Sequence, residues 1–128
     1  MNNFVLVRTE HLNHYGYLFG GQMLKWVDEM AWLAAARDFT GHNIVTRALE
    51  QVDFKKQVSN GSILRFQISY EKQGTTSVTY RVDVFADAPG SKVEEHVFSN
   101  HVTFVALDKN GKTYPLPRLS PDHSWEDI

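Results

Sequence analysis

From Gly20 to about Phe39 the apolar residues recur near a period of 3.6, and Met23, Trp26, Val27, Met30, Leu33 and Ala34 cover more than one stripe. This pattern predicts one helix, opened by Gly20-Gly21 and stopped at Thr40-Gly41-His42-Asn43. A helix apolar over so much of its circumference is enclosed by the rest of the fold. Ala31, Ala34, Ala35 and Ala36 let another backbone layer approach it closely. After residue 43 the period shortens: residues 44–54, 62–72, 77–87 and 95–107 are rich in Val, Ile, Thr, Tyr and Phe, and several positions alternate, as in Val78, Tyr80, Val82 and Val84. Turn signals separate them at Ser59-Asn60-Gly61, Gln73-Gly74-Thr75, Asp87-Ala88-Pro89-Gly90 and Asn110-Gly111. Connections this short favour antiparallel neighbours. With a first strand over residues 4–9 and an irregular link over 11–19, the order β-α-β-β-β-β implies an α+β domain, a curved antiparallel sheet wrapped around one buried helix. The tail from Lys112, with Pro115, Pro117 and Pro121, is expected to be extended and partly mobile.

One residue breaks the helix pattern. Leu24, Asp28, Ala31 and Ala35 share a stripe, while Gln22, Lys25 and Glu29 gather on another. Asp28 is therefore expected to face packed side chains while Glu29 reaches water. Desolvation disfavours a charged carboxylate unless dipoles or hydrogen bonds compensate. Such a residue is either a satisfied structural acid or a working one.

The length of 128 residues suits a single domain over residues 1–128, and 42% apolar with 22% charged residues describes an ordinary soluble globular chain. A net charge of -2 gives no electrostatic case for nucleic acid or an anionic membrane. The absence of cysteine excludes disulfides, thiolate metal sites and a cysteine nucleophile, and fits a reducing compartment such as the cytosol. The N-terminal residues carry no secretory signal pattern, and the helix is interrupted by Lys25, Asp28 and Glu29, so it cannot span a bilayer. Serine-hydrolase elbows, phosphate-binding loops, dinucleotide fingerprints and helical zinc motifs are all missing. His11 and His14 lack an evident third ligand and read as loop histidines.

Gly20-Gly21 is the stronger signal. The first amides of a helix lack intrahelical acceptors and carry the positive end of its dipole. Glycines there allow a carbonyl oxygen or developing oxyanion to come close to the chain. The plainer alternative is a tight entry turn. About two helical turns on, Asp28 can hold a water near an electrophile bound at the helix start. Asn13 can orient that water or the carbonyl, and Thr46 can supply a hydroxyl to Asp28; a turn former and an ordinary strand residue are the alternatives for these two. Together they describe an acyl-transfer site that activates water without a covalent Ser or Cys.

The pattern Asn13-x-x-Gly16-x-Leu18-Phe19-Gly20-Gly21, followed by Leu24-x-Trp26-x-Asp28-Glu29, resembles the hotdog-fold acyl-CoA thioesterases, specifically the acyl-CoA hydrolase branch. The likeness continues through Thr46, Val52-Asp53-Phe54, Gly74-x-Thr76-Ser77 and residues 103–108, and ends at Gly111 and Pro115-Leu116-Pro117. It implies a hotdog fold, with a five-stranded antiparallel sheet around one long central helix, and a homodimer joined sheet edge to sheet edge, often extended to tetramers or hexamers. It also implies that Asp28 is the catalytic acid, acting as general base or transient nucleophile, with Asn13 and the Gly20 amide, helped by Gly21, on the carbonyl and Thr46 supporting the acid. In such relatives Asn and Gly come from one subunit and Asp from the other. Lys55, Lys56, Gly74, Thr75, Thr76 and Ser77 are candidates for coenzyme A, against plainer readings as exposed lysines and a hairpin turn. Gln57 stands where the branch usually has proline, which alters the local contacts expected for coenzyme A.

The expected protein is thus a cytoplasmic homo-oligomeric hydrolase cleaving acyl-CoA to free acid and CoA-SH, with no metal or redox cofactor and no nucleic-acid or membrane partner. Trp26, Met23 and Met30 with strand aliphatics are candidates to line an acyl pocket, or simply core. A hydroxyacyl-thioester dehydratase is the rival enzyme, but that chemistry usually places a histidine near the helix start, where this chain has Phe19. A non-catalytic acyl-CoA-binding module is the rival from another class, and the pairing of Asn13 with Asp28 argues against it.

Overall fold

A computed structural model describes residues 1–120, 122 and 123; Pro121, part of the expected tail, lies outside the described residues. The elements are β1 (Asn2–Leu6), a 3-10 turn (Thr9–His11), α1 (Gly20–Asp38), β2 (Asn43–Phe54), β3 (Ile63–Gln73), β4 (Ser77–Asp87) and β5 (Glu95–Leu107). They form one five-stranded antiparallel sheet in the order β1-β3-β4-β5-β2, with α1 packed against β2, β3, β4 and β5. This is the architecture the helix-then-strands pattern implied.

Alternation sets the core. Val78, Tyr80, Val82 and Val84 of β4 and Leu64, Phe66 and Ile68 of β3 bury one side, as do Phe98, Val102, Phe104 and Ala106 of β5. They meet Val27, Ala31, Ala34 and Ala35, which are all fully buried. Each large apolar side chain enclosed here contributes about 1.5–3 kcal/mol. The alanines let α1 sit close over the sheet.

Two differences from the pattern have clear causes. The first strand ends at Leu6 rather than continuing to residue 9, because Val7 exchanges backbone hydrogen bonds with Gly61 and Ser62 (both 2.9 Å) and the chain then winds into the 3-10 turn. The short link 55–62 does not join sheet neighbours: β2 pairs with β5 at one edge, while β3 lies between β1 and β4. That link crosses the end of the sheet, where Val58 accepts the Leu18 amide (2.9 Å) and Val97 accepts the Lys55 amide (2.8 Å).

The tail is extended, as expected, but it is anchored. The Tyr114 amide donates to Ala106 (3.1 Å), the Leu116 amide donates to Thr75 (3.0 Å), and the Leu116 side chain is buried. Further along, His123 Nε2 lies 2.8 Å from Asp38 Oδ1, and the Tyr80 hydroxyl donates to Asp38 Oδ2 (2.6 Å). Burial, reinforced by that bond to Asp38, pushes the Tyr80 phenol far above its ordinary value, so it remains a donor.

Candidate active site

Asp28 occupies the flank of α1. The stripe read from the sequence is graded: Ala31 and Ala35 are fully buried, whereas Leu24 and Asp28 are half-buried. The inward orientation expected for Asp28 is thus corrected to a position at the rim, because the sheet covers only the arc centred on Val27 and Ala34. Thr46, near the start of β2, donates its hydroxyl to Asp28 Oδ1 at 2.6 Å. The strand after the helix thereby holds one carboxylate oxygen and leaves the other directed elsewhere. Asp28 and Thr46 border an open depression of about 400 Å³ completed by Glu29, Trp32 and Leu33.

At the helix start, no side chain caps α1, and the Gly20 and Gly21 amides donate no hydrogen bond among the described residues. They are the orphan donors of the helix N-terminus. Neither glycine has a positive φ, so the entry turn does not require them. A Cβ on Gly20 would meet only the Phe54 ring at 3.4 Å, an ordinary contact, whereas one on Gly21 would fall 2.7 Å from the Phe19 ring. Gly20 opens instead onto a cleft of about 280 Å³ shared with Phe54, Lys55, Lys56, Gln57 and Val58.

Asn13 shapes the loop before the helix. Its Oδ1 accepts the amides of Tyr15 (2.9 Å) and Tyr17 (3.2 Å), and its own amide donates to the Tyr17 carbonyl (2.7 Å). Its Nδ2 makes no hydrogen bond among the described residues. The turn-forming role and a free amide donor therefore coexist in one side chain. His11 Nδ1 accepts the Arg8 amide (3.0 Å), and among the described residues no cluster of three or more His, Cys, Asp or Glu stands ready for a metal.

The chain brings some candidates together and keeps others apart. Lys55 and Lys56 join Gly20 in one cleft, where Lys55 pairs with Asp53 (2.7 Å) and Lys56 with Glu95 (3.3 Å). Gly74, Thr75, Thr76 and Ser77 form the β3–β4 turn at the other end of the sheet. Ser77 is in register with Val105 and Phe54 with Phe98, about 24 Å apart along β5. Gly20 and Asp28 themselves are about 12 Å apart along the helix. Within one copy, the amide and the acid do not reach one carbonyl. Of the candidates for an acyl pocket, Trp26 is buried core, Met23 is buried but lines the Gly20 cleft, and Met30 is half-buried. The apolar wall beside the acid belongs to Trp32 and Leu33, which were not singled out for it. Their signal was a tryptophan sharing the helix side of Lys25 and Glu29.

The chain is similar to an uncharacterized acyl-CoA thioester hydrolase of Bacillus subtilis, YkhA, with 32% identity over 114 residues, 89% of this chain and 66% of the relative. It spans 31% or less of the first mammalian relatives it also matches. Among solved structures, an apo hexameric acyl-CoA thioesterase superposes with a TM-score of 0.87 at 29% identity, covering 96% of this chain and 78% of that one. An acyl-CoA hydrolase from Staphylococcus aureus, in complex with butyryl coenzyme A, coenzyme A and coenzyme A disulfide, gives a TM-score of 0.81 at 29% identity over 97% of this chain and 75% of that one. Residues 15–92, which carry Gly20, Asp28 and Thr46, match the model of the thioesterase superfamily, and the chain belongs to that superfamily.

Proposed function

We propose that this chain is an acyl-CoA thioesterase, hydrolysing acyl-CoA to a free carboxylic acid and CoA-SH in a homo-oligomer whose active site is shared between two copies. The observation that carries the reading is Asp28, half-buried beside an apolar depression and held by the Thr46 hydroxyl. The relatives named as thioester hydrolases support the same chemistry.

The separation of Gly20 from Asp28 calls for a second copy. Of the two sheet edges, β1 has 5 residues and β2 has 12. A long unpaired edge invites another strand, and Leu49, Val52 and Phe54 on β2 are exposed. Antiparallel pairing of β2 with its copy about a two-fold axis brings the helix start of one protomer toward the later turns of its partner's helix. The Gly20 amide and Asn13 Nδ2 then act on a thioester carbonyl that faces the partner's acid. The same pairing brings the 74–77 turn of one copy toward the Lys55–Lys56 cleft of the other, which gathers the donors proposed for coenzyme A. The hexameric neighbour supports assembly beyond the dimer.

In the reaction, Asp28 accepts a proton from a water molecule that attacks the carbonyl carbon, or its carboxylate attacks that carbon itself. In the second course the resulting mixed anhydride is hydrolysed by water to the free acid once the thiolate has left. The developing oxyanion is held by the helix-start amide, a donor whose loss in such sites costs about 3 kcal/mol. The C–S bond then breaks and sulfur leaves as thiolate, which is protonated to CoA-SH. A thiol ionises near neutral pH, with a pKa of about 8.5 in the case of cysteine. The leaving group therefore needs little acid assistance, and the reaction proceeds without a metal or redox cofactor. Among the described residues no helix is long and apolar enough to cross a membrane, and the proposed location is the cytoplasm.

Release of CoA-SH tests the reading with wild type, Asp28→Ala and Asn13→Asp. The Asn13 substitution retains the acceptor that closes the loop and deletes the amide donor. Both variants should lose at least roughly a hundredfold in kcat, and mixing them after dissociation should restore partial activity through hybrid dimers carrying one intact site. Unchanged turnover in both variants would refute the site, and no recovery on mixing would refute its sharing between copies.

A further inference from the structure

We propose that Trp32 sets the acyl-chain length this protein accepts, by walling off the depression that starts at Asp28. Trp32 and Leu33 are 43% and 41% exposed and both border the depression beside the half-buried acid. The indole is fixed in place: Trp32 Nε1 donates to the Ile44 carbonyl at 3.0 Å, tying the ring to the first residues of β2. Thr46, on the same strand, holds Asp28. One strand thus positions both the acid and the wall, and their four-residue spacing on the helix is about 6 Å along its axis.

That geometry dictates how an acyl thioester lies. Its carbonyl must sit at Asp28, and the carbons behind the carbonyl then run over the large apolar side chains that, among the described residues, border that acid in the depression, Leu33 and Trp32. A tail of a few carbons fills the space up to the indole, and a longer tail meets the ring, whose hydrogen bond to Ile44 resists rotation. Glu29, at the rim of the same depression, disfavours passage of an apolar chain on its side. Trp32 is a specificity-determining residue in this account. It stands apart from the proton-transfer machinery, and the inference rests on the thioesterase reading above.

The experiment is a chain-length series from acetyl-CoA to palmitoyl-CoA with wild type, Trp32→Ala and Trp32→Phe, read as kcat/KM. It is paired with calorimetric binding of the matching non-hydrolysable acyl-CoA thioethers and with sedimentation of each variant. Wild type should favour short chains. Trp32→Ala should move the optimum to longer chains, gaining about fourfold for each methylene that enters the vacated space, while losing on the shortest substrates. Trp32→Phe should keep the wild-type order of lengths with a flatter cut-off, since the ring remains but its tether to Ile44 is gone. Parallel profiles for wild type and Trp32→Ala would overturn the proposal. So would dissociation of the oligomer in Trp32→Ala together with a length cut-off in Trp32→Phe as sharp as that of wild type, which assigns the residue to the subunit interface. Wild type inactive on every substrate would sink the hydrolase reading alone; thioether affinities that still shift in length between wild type and Trp32→Ala would uphold the acyl wall, and affinities that do not would remove it.

Discussion

Gly20 is the residue where backbone geometry and chemistry separate most cleanly. Its φ does not demand glycine, and an added methyl group would make only an ordinary contact with Phe54. What glycine leaves open is the outer side of an amide with no hydrogen-bond acceptor among the described residues. Gly20→Ala is therefore expected to fold with unchanged or slightly raised stability, since alanine is the better helix former by up to about 1 kcal/mol. Its kcat/KM should fall roughly tenfold to a hundredfold, within the range for weakening an oxyanion donor. Thermal melting beside steady-state CoA-SH release checks both, and a variant as active as wild type would show that nothing approaches this amide. Asn13 carries a comparable duality that its sequence context foreshadowed only as alternatives. A short polar side chain before a glycine reads as a turn former, and it is one, but its Nδ2 is left over for other work. Asp28 was legible as the acid out of place on a greasy helix. Its exact depth was not, because helical periodicity gives direction around an axis without saying how far the sheet extends over it.

At the scale of elements, the tail shows where local sequence falls short. Three prolines and no periodicity predicted an extended, partly mobile segment, and extension is what proline's fixed φ delivers. Attachment depends on what lies across the gap: the Thr75 and Ala106 carbonyls and an apolar site for Leu116. Leu116→Ala should cost about 2 kcal/mol, the low end for a buried leucine, seen as a lower urea midpoint, while the proposed CoA-SH release by the folded protein stays at the wild-type level. A midpoint equal to wild type would show the tail to be a passive rider. The bounds of β2 to β5 were legible in the sequence because alternation is a local property. The position of β2 beyond β5 was not, since a short link limits reach without choosing which edge the chain joins.

The whole molecule presents one short edge and one long one, and the long one adjoins the acid. Leu49, exposed on β2, is a test of what covers it. Leu49→Lys places a charge on the proposed seam, and burying an unpaired charge is far costlier than leaving it in water. The variant should sediment as smaller species and lose CoA-SH release in proportion to the dissociated fraction. An oligomer as stable and active as wild type would move the subunit contact elsewhere. Activity and assembly are expected to fall together because the amide at Gly20 and the carboxylate at Asp28 are about 12 Å apart within one copy.

The order of elements, the antiparallel class of the sheet, the helix that fills it and the identities of Asp28, Asn13, Gly20 and Thr46 as candidates were all decided by the sequence, because period, turn chemistry and misplaced charge are written in neighbouring residues. Tertiary structure alone decided that Asp28 sits at the rim where the Thr46 hydroxyl, already its candidate partner, reaches it, that Trp32 is pinned to Ile44 beside it, and that β2 is the exposed long edge. These are contacts between residues distant in the chain, and they depend on which surfaces remain uncovered once the core has closed.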